Sequence, residues 1–175
     1  MKFQLAWGTR VSPEFRSEVI SICRAFEWTP EHASWLMSCM AFESGETFSA
    51  NVKNAAGSGA VGLIQFMPKT ALALGTSDYI LASMTPEKQL AWVEKYFQPY
   101  AARIQSLSDM YMAILLPKYV GEPEDSVLFS GGVAYRQNSG LDLDLDGQIT
   151  KAEATELVRR KYVKGMKLAE TEDWL

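Results

Sequence analysis

The sequence predicts a mainly α-helical single domain, and three observations predict it. A hydroxyl residue, a proline and a glutamate recur in that order at Ser12-Pro13-Glu14, Thr29-Pro30-Glu31 and Thr85-Pro86-Glu87. Each is a helix start, with a capping hydroxyl, a proline suited to the first helical position and an acid facing the positive end of the dipole. At 175 residues and 47% apolar content the chain fills one packed domain and is too short for two ordinary ones, so the domain spans 1–175. Only one stretch, 51–66, has the texture of β structure, and there is neither a solenoid repeat nor a low-complexity linker.

Taken in order, the starts open helices over 13–26, 30–44 and 86–97. Further helices are expected over 68–74, ended by Gly75, over 100–106 after Pro99, over 108–116 before Pro117, over 126–138, and from Thr150 to about Lys167. Within 30–44, counting about 100° per residue, His32, Leu36, Cys39, Met40 and Glu43 share one sector, while Ser34, Ser38 and Ala41 point elsewhere. Glu43 therefore extends an apolar stripe. Burial disfavours an ionised carboxyl and moves its pKa toward neutrality, which makes a proton donor near pH 7. The alternative is a Glu43 that reaches solvent or pairs with Lys53 or Lys69.

Gly45 ends that helix. Asn51 to Phe66 is rich in Gly, Ala, Ser and Asn before an alternating Val61, Leu63, Ile64 and Phe66, and reads as a small β-hairpin or irregular turn region. Glycines at 57, 59 and 62 let a backbone approach an extended ligand, and Gln65 offers an amide that both donates and accepts. These properties suit a sugar.

Glu43-Ser44, then Gly62-Leu63-Ile64-Gln65-Phe66-Met67-Pro68, then Ala134-Tyr135, resemble the three ordered signatures of the soluble lytic transglycosylase domain, a relative of goose-type lysozyme. The resemblance covers roughly residues 28 to 140. It implies a lysozyme-like α domain in which Glu43 is the catalytic acid and base and Ser44, Gln65, Phe66, Met67, Tyr135 and Asn138 line the saccharide groove. It also implies that Tyr135 supports Glu43 by a hydrogen bond. The family has asparagine after the tyrosine; this chain has Arg136, with Asn138 two places on.

A second motif is independent of the first. Asp142-Leu143-Asp144-Leu145-Asp146-Gly147-Gln148-Ile149-Thr150-Lys151-Ala152-Glu153 fits the twelve-residue EF-hand loop at each diagnostic position. Asp142, Asp144 and Asp146 supply side-chain oxygens, Gln148 its backbone carbonyl, Thr150 a direct or water-borne contact, and Glu153 a bidentate carboxylate. Gly147 permits the sharp turn and Ile149 anchors the loop in the core. Calcium is the expected ion. The chain holds one such loop, and sensor EF-hands work in pairs, so calcium is expected as a structural clip; some lytic transglycosylases carry a single EF-hand.

Composition bounds the rest. A net charge of −4 argues against general nucleic-acid binding, and one histidine, His32, excludes a histidine-rich metal site. Cys23 and Cys39 read as buried thiols. No apolar run approaches a membrane span and Met1 to Arg10 lacks the pattern of a signal peptide, so the expectation is a soluble chain made in the cytoplasm. A wall-cutting enzyme of that kind looks like a phage endolysin or a virion-borne protein acting in the periplasm during cell lysis, as a monomer; a truncated chain lacking its natural leader is the competing reading. The basic run Arg159, Arg160, Lys161, Lys164 and Lys167 reads as a solvated helix face.

Glycosidases that hydrolyse need a second carboxyl across the scissile bond. Between Glu43 and Asp78 the only other acid is Glu46, expected to be exposed, so a single-acid transglycosylase fits best. Two alternatives stay open: a muramidase using Glu46, Asp78 or Asp109, and a calcium-stabilised glycan-binding virion protein without catalysis.

Overall fold

The computed structural model describes residues 1–174; Leu175, the last residue of the predicted domain, lies outside them. The fold is mainly helical: α1 (Pro13–Ala25), α2 (Pro30–Glu43), α3 (Pro68–Leu74), α4 (Asp78–Ala82), α5 (Pro86–Phe97), α6 (Leu107–Leu115), α7 (Gly132–Asn138) and α8 (Lys151–Met166). Four short strands, β1 (Lys2–Leu5), β2 (Val127–Ser130), β3 (Gln148–Thr150) and β4 (Glu170–Asp173), form two antiparallel pairs, β1 with β4 and β2 with β3.

The three hydroxyl-proline starts act as local signals. Ser12 Oγ accepts from the Phe15 amide at 3.0 Å and Thr85 Oγ1 from the Lys88 amide at 3.3 Å. Thr29 works through its histidine: its N–H donates to His32 Nδ1 at 3.2 Å, while the ring stacks on Trp28 and sets Nε2 3.1 Å from the Ile104 carbonyl.

Helix α2 runs through the middle of the molecule, against α1, α6, α8 and β1. It is buried nearly all round, which widens the single stripe expected of it: Ser34, Ser38 and Ala41 are as enclosed as Leu36, Cys39 and Met40. The serines are satisfied. Ser34 Oγ accepts from the Ala6 amide and donates to the Gln4 carbonyl, binding β1 to the helix, and Ser38 Oγ donates to the Ser34 carbonyl. Cys23 and Cys39 are free buried thiols.

Three expectations change. The span 126–138 divides into β2 and α7 at Gly131 and Gly132, both at positive φ, because Val127 to Ser130 pairs with β3. The helix expected over 100–106 is one 3-10 turn, Ala101–Arg103, whose first carbonyl also accepts from the Trp28 indole at 2.9 Å. Over 51–66 the expected hairpin is reduced to isolated bridges, Lys53 with Val61 and Val61 with Phe66, inside a run of turns.

That turn region is held by Gln89 on α5, which is fully buried. Its Oε1 accepts from the Leu63 amide at 2.8 Å, and its Nε2 donates to the Ala50 and Leu81 carbonyls, each at 3.0 Å. Gly62, at φ +85°, leaves room for this amide; a Cβ there would overlap it. At the other side of the fold the Trp7 indole lies on Gly165 of α8 and donates to the Lys161 carbonyl at 3.0 Å. Among the described residues no helix is long and apolar enough to cross a membrane.

Candidate active site

Glu43 is the last residue of α2, where the negative end of the helix dipole adds to the cost of an ionised carboxyl. Burial pushes its pKa up to about 7, and burial is the only cause resolved. No lysine offsets it: Lys53 and Lys69 are both exposed, and neither forms an ion pair with it among the described residues. The carboxyl instead lies among apolar and phenolic groups. Its charge raises the pKa of Cys39, one turn back, and of Tyr96 and Tyr111, in each case after the larger effect of burial.

Tyr111 is a residue that the sequence reading missed. It stands on α6, 3% exposed, edge-on to Phe42 at 5.6 Å. The Tyr96 hydroxyl donates to the Ala113 carbonyl, whereas the Tyr111 hydroxyl makes no hydrogen bond among the described residues and stays available to Glu43 or a ligand. The available signal was weak: Leu107, Met110, Tyr111 and Ile114 follow a helical period, which places a phenol on a buried stripe but does not say what it faces.

The tyrosine expected beside Glu43 is elsewhere. Tyr135 stands on α7, and its hydroxyl donates to Asp142 Oδ2 at 2.6 Å. Asn138, at the end of α7, closes on its own helix by donating to the Ala134 carbonyl, and Arg136 is exposed. The structure therefore places Tyr135 at the acidic loop and Asn138 at the end of the helix before it, and the expected Tyr135–Glu43 hydrogen bond is replaced by one to Asp142.

The remaining residues expected to line a groove divide by role. Ser44 is buried, and its Oγ accepts from the Phe48 amide at 2.9 Å, fixing the turn after α2. Gln65 sits at φ +55° with Nε2 donating to the Val52 and Gly62 carbonyls, both at 3.1 Å, so its amide braces the loop and leaves Oε1 without a partner among the described residues. Phe66 is a core residue against Tyr96. Met67 is 46% exposed, and with Gln65, Thr70, Tyr96 and Ile114 it borders a small depression on the Tyr96 side of the acid. Wider hollows, at Phe26 and Glu27 against α5 and at Arg24 against Glu172, mix charges of both signs and contain no buried acid.

Of the other carboxyls considered as partners for Glu43, Glu46 and Asp109 are engaged by lysines. Glu46, less exposed than expected, lies 2.5 Å from Lys161 Nζ and 2.7 Å from Lys164 Nζ, and these lysines hold its pKa below the usual range. Asp109 lies 2.6 Å from the buried Lys151 Nζ and accepts from the Gln105 and Gly121 amides; burial pushes its pKa up, but these partners outweigh burial and hold it low. Asp78 opens α4.

The acidic loop forms a second cluster. Asp142, Asp144 and Asp146 bring ligand oxygens within 4.8 Å of one another, a group able to hold a metal ion. Leu145 at φ +61° and Gly147 at φ +87° make the turn, and Ile149 is fully buried in β3. Gln148 lies next in the chain, its amide donating to Asp146 Oδ1. Thr150 and Glu153 face each other in a capping box that opens α8, Glu153 Oε2 accepting from both Thr150 N and Oγ1. Comparison of the chain with protein families, with curated proteins and with solved structures yields no match.

Proposed function

We propose that this protein cleaves the β-1,4 bond between N-acetylmuramic acid and N-acetylglucosamine in peptidoglycan, by lytic transglycosylation to 1,6-anhydro products. The observation that carries the reading is the lone carboxyl of Glu43, half-buried at the end of α2 with its pKa near 7, while Glu46 and Asp109 are neutralised by lysines. One poised acid suits a reaction that needs no second one.

In this mechanism Glu43 donates its proton to the glycosidic oxygen as the bond to the muramic C1 breaks, and the muramic N-acetyl group stabilises the positive centre. The Glu43 carboxylate then takes the proton of the sugar's 6-hydroxyl as that oxygen bonds to C1. The acid is regenerated and water is not consumed. Met67 and the unpartnered Gln65 Oε1 border the strand's path, and the unengaged Tyr111 hydroxyl is the donor available to Glu43 or to the sugar. The acidic loop is read as an EF-hand in which Asp142, Asp144, Asp146, the Gln148 carbonyl, Thr150 and Glu153 hold calcium as a structural ion. The site belongs to a lysozyme-like domain, and its action on the wall suits a phage lysis protein.

The test is mass spectrometry of soluble fragments released from purified peptidoglycan, with Glu43→Gln in parallel. Muropeptides lighter by one water, absent with Glu43→Gln, are expected. Hydrated reducing ends would replace this reading with a muramidase, and no fragments would leave a glycan-binding protein.

A further inference from the structure

The two oxygens of Asp142 have unequal partners. Oδ2 accepts from the Gly147 amide at 3.0 Å and from the Tyr135 hydroxyl at 2.6 Å. Oδ1 belongs to a side chain only 4% exposed and has no partner among the described residues. A buried carboxylate oxygen is rarely left bare, and Asp142 belongs to the cluster with Asp144 and Asp146. The pair of donors on Oδ2 holds the carboxyl plane and leaves Oδ1 as the oxygen free to take a ligand. Gly147 is part of the loop; Tyr135 is not.

Helix α7, which carries Tyr135, has no buried residue and opens at Gly131 and Gly132, both at positive φ. Its main packing is against β2 and the 3-10 turn Ser139–Leu141 that leads into the loop. The Tyr135 hydroxyl is thus its side-chain hydrogen bond to the loop, and the ring is the part of α7 that packs on the core.

We propose that Tyr135 is a positioning residue of the divalent-cation site, and that cation binding and the docking of α7 on the loop are linked through its hydrogen bond to Asp142. This rests on reading the loop as a cation site. Groups that hold a ligand carboxylate from outside the coordination sphere orient it, and their loss typically costs ten- to a hundredfold in affinity. Linkage then requires that the cation stabilise α7 by as much as docked α7 strengthens the cation site.

The experiment is a calorimetric calcium titration of the full chain and of Tyr135→Phe, which keeps the ring. It is joined to trypsin cleavage after Arg136, exposed on α7, with calcium and with chelator. Thermal melts in chelator check that both proteins fold. The expected result is at least tenfold weaker calcium binding by Tyr135→Phe, and protection of the Arg136 site by calcium in the parent that the variant loses. Equal calcium affinities, or cleavage at Arg136 indifferent to calcium in the parent, would overturn the inference while leaving the cation site standing. A parent chain that takes up neither calcium nor magnesium would remove the cation reading and this inference with it.

Discussion

The Lys151 ammonium lies 2.6 Å from Asp109 Oδ1, with both side chains almost wholly enclosed, and so joins the end of the acidic loop to the helix that carries Tyr111. The same ammonium donates to the Tyr119 and Glu122 carbonyls, and Asp109 accepts two backbone amides, so each charge is surrounded by partners. Truncating Lys151 leaves an uncompensated buried carboxylate, which costs about 3–5 kcal/mol. Lys151→Ala is expected to lower Tm by about 10 °C at 2–4 °C per kcal/mol. The double variant Lys151→Met with Asp109→Leu should recover most of that loss, as differential scanning calorimetry would show.

The raised pKa of Glu43 has a signed consequence for stability. Folding lifts it from the ordinary 4.5 to about 7, so the native state holds the proton more tightly than the unfolded chain. The stability this contributes is fully present below pH 4.5 and is lost as pH rises toward 7, a change on the order of 3 kcal/mol. Glu43→Gln should lack that decline, so denaturant titrations of the two proteins should diverge between pH 4.5 and 7 and run parallel above. Turnover by the parent should fall about tenfold per pH unit above 7, where the acid is ionised.

Tyr111→Phe removes the one phenol near Glu43 whose hydroxyl is not engaged by the protein. Since the ring packing is kept, Tm should hold within a degree or two while kcat falls about tenfold, the value of a hydrogen bond to a charged group. A variant with parental kcat would assign Tyr111 to packing alone.

Gly62→Ala tests the brace under the 51–66 turn region. The new methyl group would meet the Gln89 amide at a backbone angle that L residues rarely adopt, and moving Gln89 would strip partners from Leu63, Ala50 and Leu81. The expected loss is about 3 kcal/mol. Gln89→Ala should cost a similar amount, and the double variant less than the sum, since both break the same contact.

The elements that were legible in the sequence are those whose signal is local. Ser12-Pro13, Thr29-Pro30 and Thr85-Pro86 each open a helix where expected, and α3 stops at Gly75 in the left-handed region. Val127 to Ser130 failed that treatment because its partner is β3, some twenty positions on, and pairing across that distance overrides helical periodicity. The candidate acid was readable from its place at the end of an apolar helix. Its phenolic neighbour was not, because the chain offers several tyrosines and only packing brings Tyr111 of α6 beside α2. Likewise Glu46 read as exposed because its lysines lie more than a hundred positions away on α8.

The β1–β4 pair sets the order in which the chain can assemble. Gln4 Nε2 donates to Thr171 Oγ1 across 167 positions, and bringing such distant segments together unaided would cost on the order of 4–5 kcal/mol in chain entropy. Loop entropy therefore predicts that the ribbon forms late in folding, after α2 has gathered α1, α6 and α8 and shortened the effective loop. Trp7, seated on Gly165, is the latch that makes it cooperative with the rest: until α8 is in place the indole has no seat, and once it is seated the first strand has nowhere else to go.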